Sequence, residues 1–376
     1  MACKEDPLVI IEPNLTAVES TFGGKIKLDN LANYANQPIP DYIAKDNTSN
    51  NVITDAGATL GRVLFYDKNL SIDNTIACAA CHQQAVAFSD PRQASIGVNG
   101  STARHSMRLV NARFGQELRF FWDERALSLE DQTTQPIQDH AEMGYSGENG
   151  DPDFADLIEK LENIDYYQEL FTFVYGDSEI NEDRMQLALA QFIRSIQSFD
   201  SKFDIGRAQV ADDLAAFPNF TNAENLGKSL FINLGTFDEA GIRTGGGLGC
   251  GGCHTPPEFD IEIFSLNNGV TGTIDGTGPD FNVTRSPSLR DVVKADGSPN
   301  GPMMHTGSFN NLNGVINHYN QINSGPANNM LDARLRPNGF PQNLMMPMSE
   351  KNALTAFIKT LAGQDVYTDE RWSDPF

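Results

Sequence analysis

The sequence predicts a mainly α-helical chain built as two similar units in tandem, joined by long loops. Three observations carry that reading. Apolar residues recur at helical spacing in several segments. A short pattern, L-G-[RK]-x-L-F, occurs twice, at Leu60–Phe65 and Leu226–Phe231, and each copy is followed by Cys-x-x-Cys-His. The apolar runs are also short and the loops long for 376 residues with 40% apolar content. That length suits two domains, and the short runs suggest that bound groups fill part of the core.

Residues 1–50 are polar, rich in Asn and Pro, and are expected to form an extended N-terminal extension. The first unit spans 51–200. It opens with a helix near Asp55–Tyr66 that places Leu60, Val63 and Leu64 on one face. Residues 83–150 read as irregular structure broken by short helices. Helical periodicity returns at Phe154–Asn163 and Glu182–Ser198, where Met185, Leu187, Leu189, Phe192, Ile193 and Ile196 form a core stripe. The second unit spans 201–376. Thr221-Asn222-Ala223-Glu224 is a capping box that opens a helix through Leu230. Residues 262–308 are loop-rich, and a last helix, Ser349–Leu361, ends at Gly363.

Four of the five cysteines lie in Cys78-Ala79-Ala80-Cys81-His82 and Cys250-Gly251-Gly252-Cys253-His254. This is the attachment pattern of c-type haem. Two thiols add to the two vinyl groups of one porphyrin, and the next residue, His82 or His254, sits under the iron as its ligand. A zinc site is disfavoured, because zinc-binding pairs normally lie about 15–20 residues apart. A thioredoxin-like redox motif would need a βαβ context that is absent. Each unit therefore reads as a cytochrome c-like domain with one covalent haem c. The glycines of 245–252 let the backbone pass close to the porphyrin. Haem c is attached outside the cytoplasm, so the chain is expected in the periplasm or cell envelope.

The fifth cysteine, Cys3, follows Met-Ala and precedes polar residues. This resembles the end of a processed bacterial lipobox, with Cys3 as a lipid anchor; the alternative is an exposed free thiol. Net charge is 27 − 50 = −23. So acidic a chain should not bind nucleic acid or an anionic membrane surface, and suits a basic or neutral partner. No stretch approaches the roughly 18 apolar residues of a membrane span.

Several further stretches occur in a fixed order: Phe121-Trp122-Asp123-Glu124-Arg125-Ala126, Gln132…Pro136…Glu142-Met143, Ser286-Pro287-Ser288-Leu289-Arg290 and Asn317-His318-Tyr319-Asn320. With the two haem motifs, they resemble the bacterial dihaem cytochrome c peroxidases and their MauG-type relatives, from about Leu60 to Gly363. The resemblance implies that the N-terminal haem reacts with peroxide beneath Gln132 and Glu142, with Pro136 lining the pocket. It implies that Trp122 lies between the haems and that the C-terminal haem handles electrons. The chemistry agrees: O–O heterolysis needs a proton moved from the inner to the outer oxygen and a dipole for the developing charge. A carboxylate and an amide supply these.

The sequence departs from the family pattern at four places. Glu124 replaces the Gly of F-W-D-G-R. Val98 stands where many members carry a distal His, so the first haem is expected to be open at rest; His105, seven residues on, is the alternative that could swing in. The axial Met of the second haem is replaced by Tyr319 on our count, as in MauG-type enzymes, with Met303, Met304 and Met346 as rivals. A phenolate stabilises ferric iron. The family's interdomain calcium would take carbonyls from Asn300 and Pro302, but its Asn position is His105, a poor calcium ligand; Asn111 could substitute only if the loop shifts.

The leading expectation is a peroxidase that reduces hydrogen peroxide with electrons from a small cytochrome c or cupredoxin. A MauG-type oxidase acting on Trp or Tyr of a partner protein is second, and a non-catalytic dihaem carrier third. A homodimer is expected by family analogy alone.

Overall fold

The computed structural model describes residues 15–260, 265–323, 325 and 327–376; Cys3 lies outside them. Among these residues the fold is helical, with one two-stranded antiparallel sheet. The helices are α1 (Thr16–Phe22), α2 (Asp55–Tyr66), α3 (Cys78–Cys81), α4 (Leu129–Thr134), α5 (Phe154–Glu162), α6 (Asp165–Tyr175), α7 (Glu182–Ser195), α8 (Lys202–Arg207), α9 (Asn222–Ile232), α10 (Leu312–Asn320) and α11 (Met348–Lys359). The strands are β1 (Gly235–Phe237) and β2 (Arg243–Gly246). No helix among the described residues is long and apolar enough to cross a membrane.

Each half is organised by one helix pair. In the first, α2 crosses α7, and Gly61 lies so close that a Cβ would come within 2.0 Å of the Ala188 carbonyl oxygen. In the second, α9 crosses α11, and a Cβ on Gly227 would meet the Ala353 carbonyl oxygen at the same 2.0 Å. The glycine of the repeated hexapeptide is thus the contact point of both pairs. The buried Leu64 and Phe65 of α2 correspond to Leu230 and Phe231 of α9, and burying each such side chain contributes about 1.5–3 kcal/mol.

The basic residue of the hexapeptide is buried in both copies and ties down a loop. Arg62 donates from Nε to the Ser373 carbonyl at 2.7 Å. Lys228 donates to the carbonyls of Asp213 and Ala215. Caps end the helices where the sequence places them. Thr54 accepts from the Gly57 N–H, and Thr221 with Glu224 forms a complete capping box.

Two segments pack differently from the expectation. Residues 15–50 are not simply extended, because α1 places Val18 and Phe22, and the chain beyond it places Ile26 and Tyr34, in the first core. After α11 the chain returns to the first half, where Val366 and Trp372 complete the same core. The Tyr34 hydroxyl donates to the Arg371 carbonyl at 2.7 Å across that seam.

Candidate functional site

In the first half, α3 carries Cys78 and Cys81 on the rim of a cavity. The His82 N–H closes the short helix on the Cys78 carbonyl at 2.9 Å. Its ring Nδ1 faces the Phe88 carbonyl at 3.2 Å. That contact selects the tautomer with its proton on Nδ1 and leaves the Nε2 lone pair free for a metal. Ala87 and Phe88 adopt left-handed backbone, with φ of 56° and 57°, to aim this carbonyl. Such conformations cost about 1–2 kcal/mol per residue and mark a constrained turn.

The opposite wall comes from α4 and the loop after it. Ser128 caps α4 by accepting the Asp131 N–H, which sets Gln132 and then Pro136 on the cavity lining. Asp139 accepts the N–H groups of Ala141 and Glu142, at 2.8 and 3.0 Å, and turns Glu142 toward the same space. His82, Gln132, Pro136 and Glu142 share a cavity of about 290 Å³. The Gln132 amide and the Glu142 carboxyl make no hydrogen bond to protein among the described residues, so both are available to a ligand. Burial pushes the Glu142 carboxyl up to about 7, with Asp139 adding to the rise. It can therefore hold or release a proton near neutral pH.

Val98 lies beside this site without lining the cavity. Its N–H bonds the Glu142 carbonyl at 3.0 Å, and its side chain packs toward Gly144. The His105 ring is turned toward Ser89 Oγ at 3.4 Å and the Gln93 carbonyl at 3.3 Å.

In the second half, Cys250 and His254 border two adjoining cavities of about 130 and 260 Å³, and Cys253 lines the larger. Each half joins an apolar-lined space to a thiol pair and an imidazole. These residues fit a covalent porphyrin. Phe259 repeats the left-handed turn of Phe88, with φ of 58°. The buried His254 Nδ1 has no hydrogen-bond partner of its own. Tyr319 on α10 lines both cavities with His254. Its position is fixed by Gln342, whose side chain donates to the Tyr319 carbonyl at 2.8 Å. Met303, Met304 and Met346 line only one of the two spaces, and the Met304 sulfur accepts from Asn268 Nδ2 at 3.6 Å.

Trp122 stands in the wall that the first and second cavities share. Its Nε1–H donates to the His105 carbonyl at 2.6 Å, and its own carbonyl accepts the Arg285 N–H at 2.7 Å. The His305 ring meets it edge-on, with centroids 6.2 Å apart. Glu124, in place of the family Gly, has φ of 57° and is held by the Ser265 hydroxyl at 3.1 Å. The left-handed backbone explains why Gly suits that position.

Of the residues named for calcium, Asn300 faces a cation of the protein and Asn111 is engaged elsewhere. The Arg108 guanidinium lies 3.5 Å from the Asn300 carbonyl oxygen, so a cation already faces that ligand. Asn111 is spent on Ser198, donating to its carbonyl at 3.2 Å and accepting its N–H at 2.8 Å. Sequence reasoning missed Arg108, Arg285 and His305, all in loops without periodicity. The run Ser286–Arg290 gave one signal. Arg290 is fully buried and grips Asp204 through two 2.9 Å contacts, and it donates to the Pro257 carbonyl beside the His254 loop.

Comparison with known proteins agrees with this geometry. The di-haem cytochrome c peroxidase family matches residues 55–210. The methylamine utilization protein MauG of Methylophilus methylotrophus is 31% identical over 72% of this chain and 73% of its own length. The cytochrome c551 peroxidase of Nitrosomonas europaea is 27% identical over 81% of this chain and 80% of its own. Among solved structures, a MauG-like protein associated with microbial copper homeostasis superposes with a TM-score of 0.68 at 28% identity, covering 90% of this chain and 99% of that one.

Proposed function

This chain belongs to the di-haem cytochrome c peroxidase family, and from that premise we propose that it reduces hydrogen peroxide in the first cavity with electrons drawn from a partner protein through the second. Membership makes it an oxidoreductase and implies two haem c groups. In this reading Cys78, Cys81 and His82 would hold one, and Cys250, Cys253, His254 and Tyr319 would hold the other.

Bound haem supplies the redox-active iron. The protein supplies the proton and the dipole. Glu142 takes a proton from the inner peroxide oxygen and returns it to the outer one, which leaves as water. The Gln132 amide stabilises the charge that develops as the O–O bond parts. Pro136 shapes the wall without competing for hydrogen bonds. Trp122 provides an aromatic path between the cavities, held rigid by the His105 carbonyl and the Arg285 N–H. The observation that carries the reading is the pair Gln132 and Glu142, both free of protein partners on the cavity that His82 also lines.

Tyr319 beside His254, and Val98 where a ligating His would stand, favour a MauG-type reading, with the electrons coming from Trp or Tyr of a partner protein. A small cytochrome or cupredoxin as donor is the second reading. It is favoured by exposed apolar side chains at the larger cavity of the second half: Leu234, which lines it, and Met345, next to Leu344 in its wall. Export to the periplasm or cell envelope belongs to either.

Mixing the purified protein with hydrogen peroxide, with and without a reduced donor cytochrome, separates them by haem spectra. A long-lived oxidised state with poor donor turnover is expected for the MauG-type reading. Fast donor turnover selects the second. No reaction with peroxide would overturn both.

A further inference from the structure

Arg108 is a half-buried cation, its Nε enclosed, that the peroxide chemistry does not use. It lines the cavities of both halves, in the same wall as Trp122. Its Nε has no partner, and its one hydrogen bond is the long 3.5 Å contact to the Asn300 carbonyl. No carboxylate among the described residues forms an ion pair with it. Asp291 is the anion whose field reaches it. The Asp291 Oδ1 is engaged by the Gly363 N–H at 2.8 Å and the Tyr367 hydroxyl at 3.0 Å, and its Oδ2 has no hydrogen-bond partner among the described residues and makes no ion pair with Arg108. The neighbouring carboxylates serve other arginines: Asp123 and Asp280 hold Arg104, and Asp260 holds Arg285.

A guanidinium withdrawn from water without an ion pair is costly unless an anion meets it. Haem brings two carboxylate arms, and a guanidinium is the side chain best shaped to take a carboxylate through parallel hydrogen bonds. At the same time, its charge faces the Asn300 carbonyl that a calcium ion would otherwise use.

We propose that Arg108 is a built-in cation of the wall between the two sites, binding a haem carboxylate and standing in for the interdomain calcium. This rests on the reading of both cavities as haem sites. The positive charge raises the potential of the haem it serves, because it disfavours the ferric state.

The test uses the intact holoprotein. A pyridine haemochrome assay first counts haems, and a count other than two would overturn the underlying reading. With two present, calcium content should be far below one per chain, and EGTA should leave the haem spectra unchanged. Potentiometry of Arg108→Gln should show a lowered midpoint potential for at least one haem, while Arg108→Lys, which keeps the charge, should stay near the wild type. One calcium per chain, removed by EGTA with a spectral change, would refute the proposal. So would Arg108→Gln with both potentials unmoved. Should Arg108→Gln fail to load haem, the calcium assay and Arg108→Lys still decide.

Discussion

The two halves share a scaffold and differ in what they expose to their cavities. The α2–α7 and α9–α11 crossings use the same glycine contact, with a virtual Cβ meeting a carbonyl oxygen at 2.0 Å and the Cβ of Phe192 or Phe357 at 2.8 Å in each. Arg62 and Lys228 repeat each other as buried loop anchors, and Phe88 and Phe259 repeat each other as left-handed turns. The walls facing the histidines do not repeat. The first offers Gln132 and Glu142 with unused hydrogen-bonding capacity, and the second offers Tyr319 and three methionines. The repeated parts are helices, and the divergent groups sit at short-helix ends and in loops. One helical frame can thus present two different cavity walls, the difference residing in loop residues.

The largest effect expected from breaking this contrast is at Glu142. Glu142→Gln should slow the peroxide reaction by roughly 100- to 10,000-fold in stopped-flow measurements. The wild-type rate should climb as pH passes about 7 and the carboxylate forms, and the variant should be flat across that range. The stability sign is opposite. The folded carboxyl, raised from 4.5 to about 7, binds its proton more tightly than the unfolded one. Its contribution is therefore most favourable below the unfolded value and is lost as pH rises toward 7. A pH-independent wild-type rate would remove Glu142 from the chemistry.

Next in size is the scaffold equivalence. Gly61→Ala and Gly227→Ala should each destabilise by about 1–3 kcal/mol through overpacking, read as a shift in denaturant midpoint. A loss at one glycine only would mean that the two crossings are not energetically alike. The smallest effect on the first half should come from Tyr319→Phe. It should alter the spectrum of one haem and leave the initial peroxide reaction in place. An unchanged spectrum would assign that ligand position to a methionine.

Much of the helical frame was legible in the sequence. Asp55–Tyr66 matches α2 residue for residue, and the capping box at Thr221 opens α9. Periodicity and caps are local signals, and these helices use them. The wall residues were legible only where a motif flagged them. Arg108 sits in a loop, and what makes it notable is a cavity whose lining comes from distant segments, which no local pattern encodes. Glu124 shows the converse: the sequence marked the exchange of Gly for Glu, but only the backbone, with φ of 57°, shows that the position asks for glycine.

The return of residues 364–376 to the first half reverses the order in which the halves can be completed. Trp372 fills the first core, Arg62 holds Ser373, and Lys25 contacts the Phe376 carbonyl. All of these partners follow the whole second half along the chain. A domain normally closes once its own segment has been synthesised. Here the half that begins first finishes last, and a cut after α11 would leave it with an open seam rather than a free-standing module.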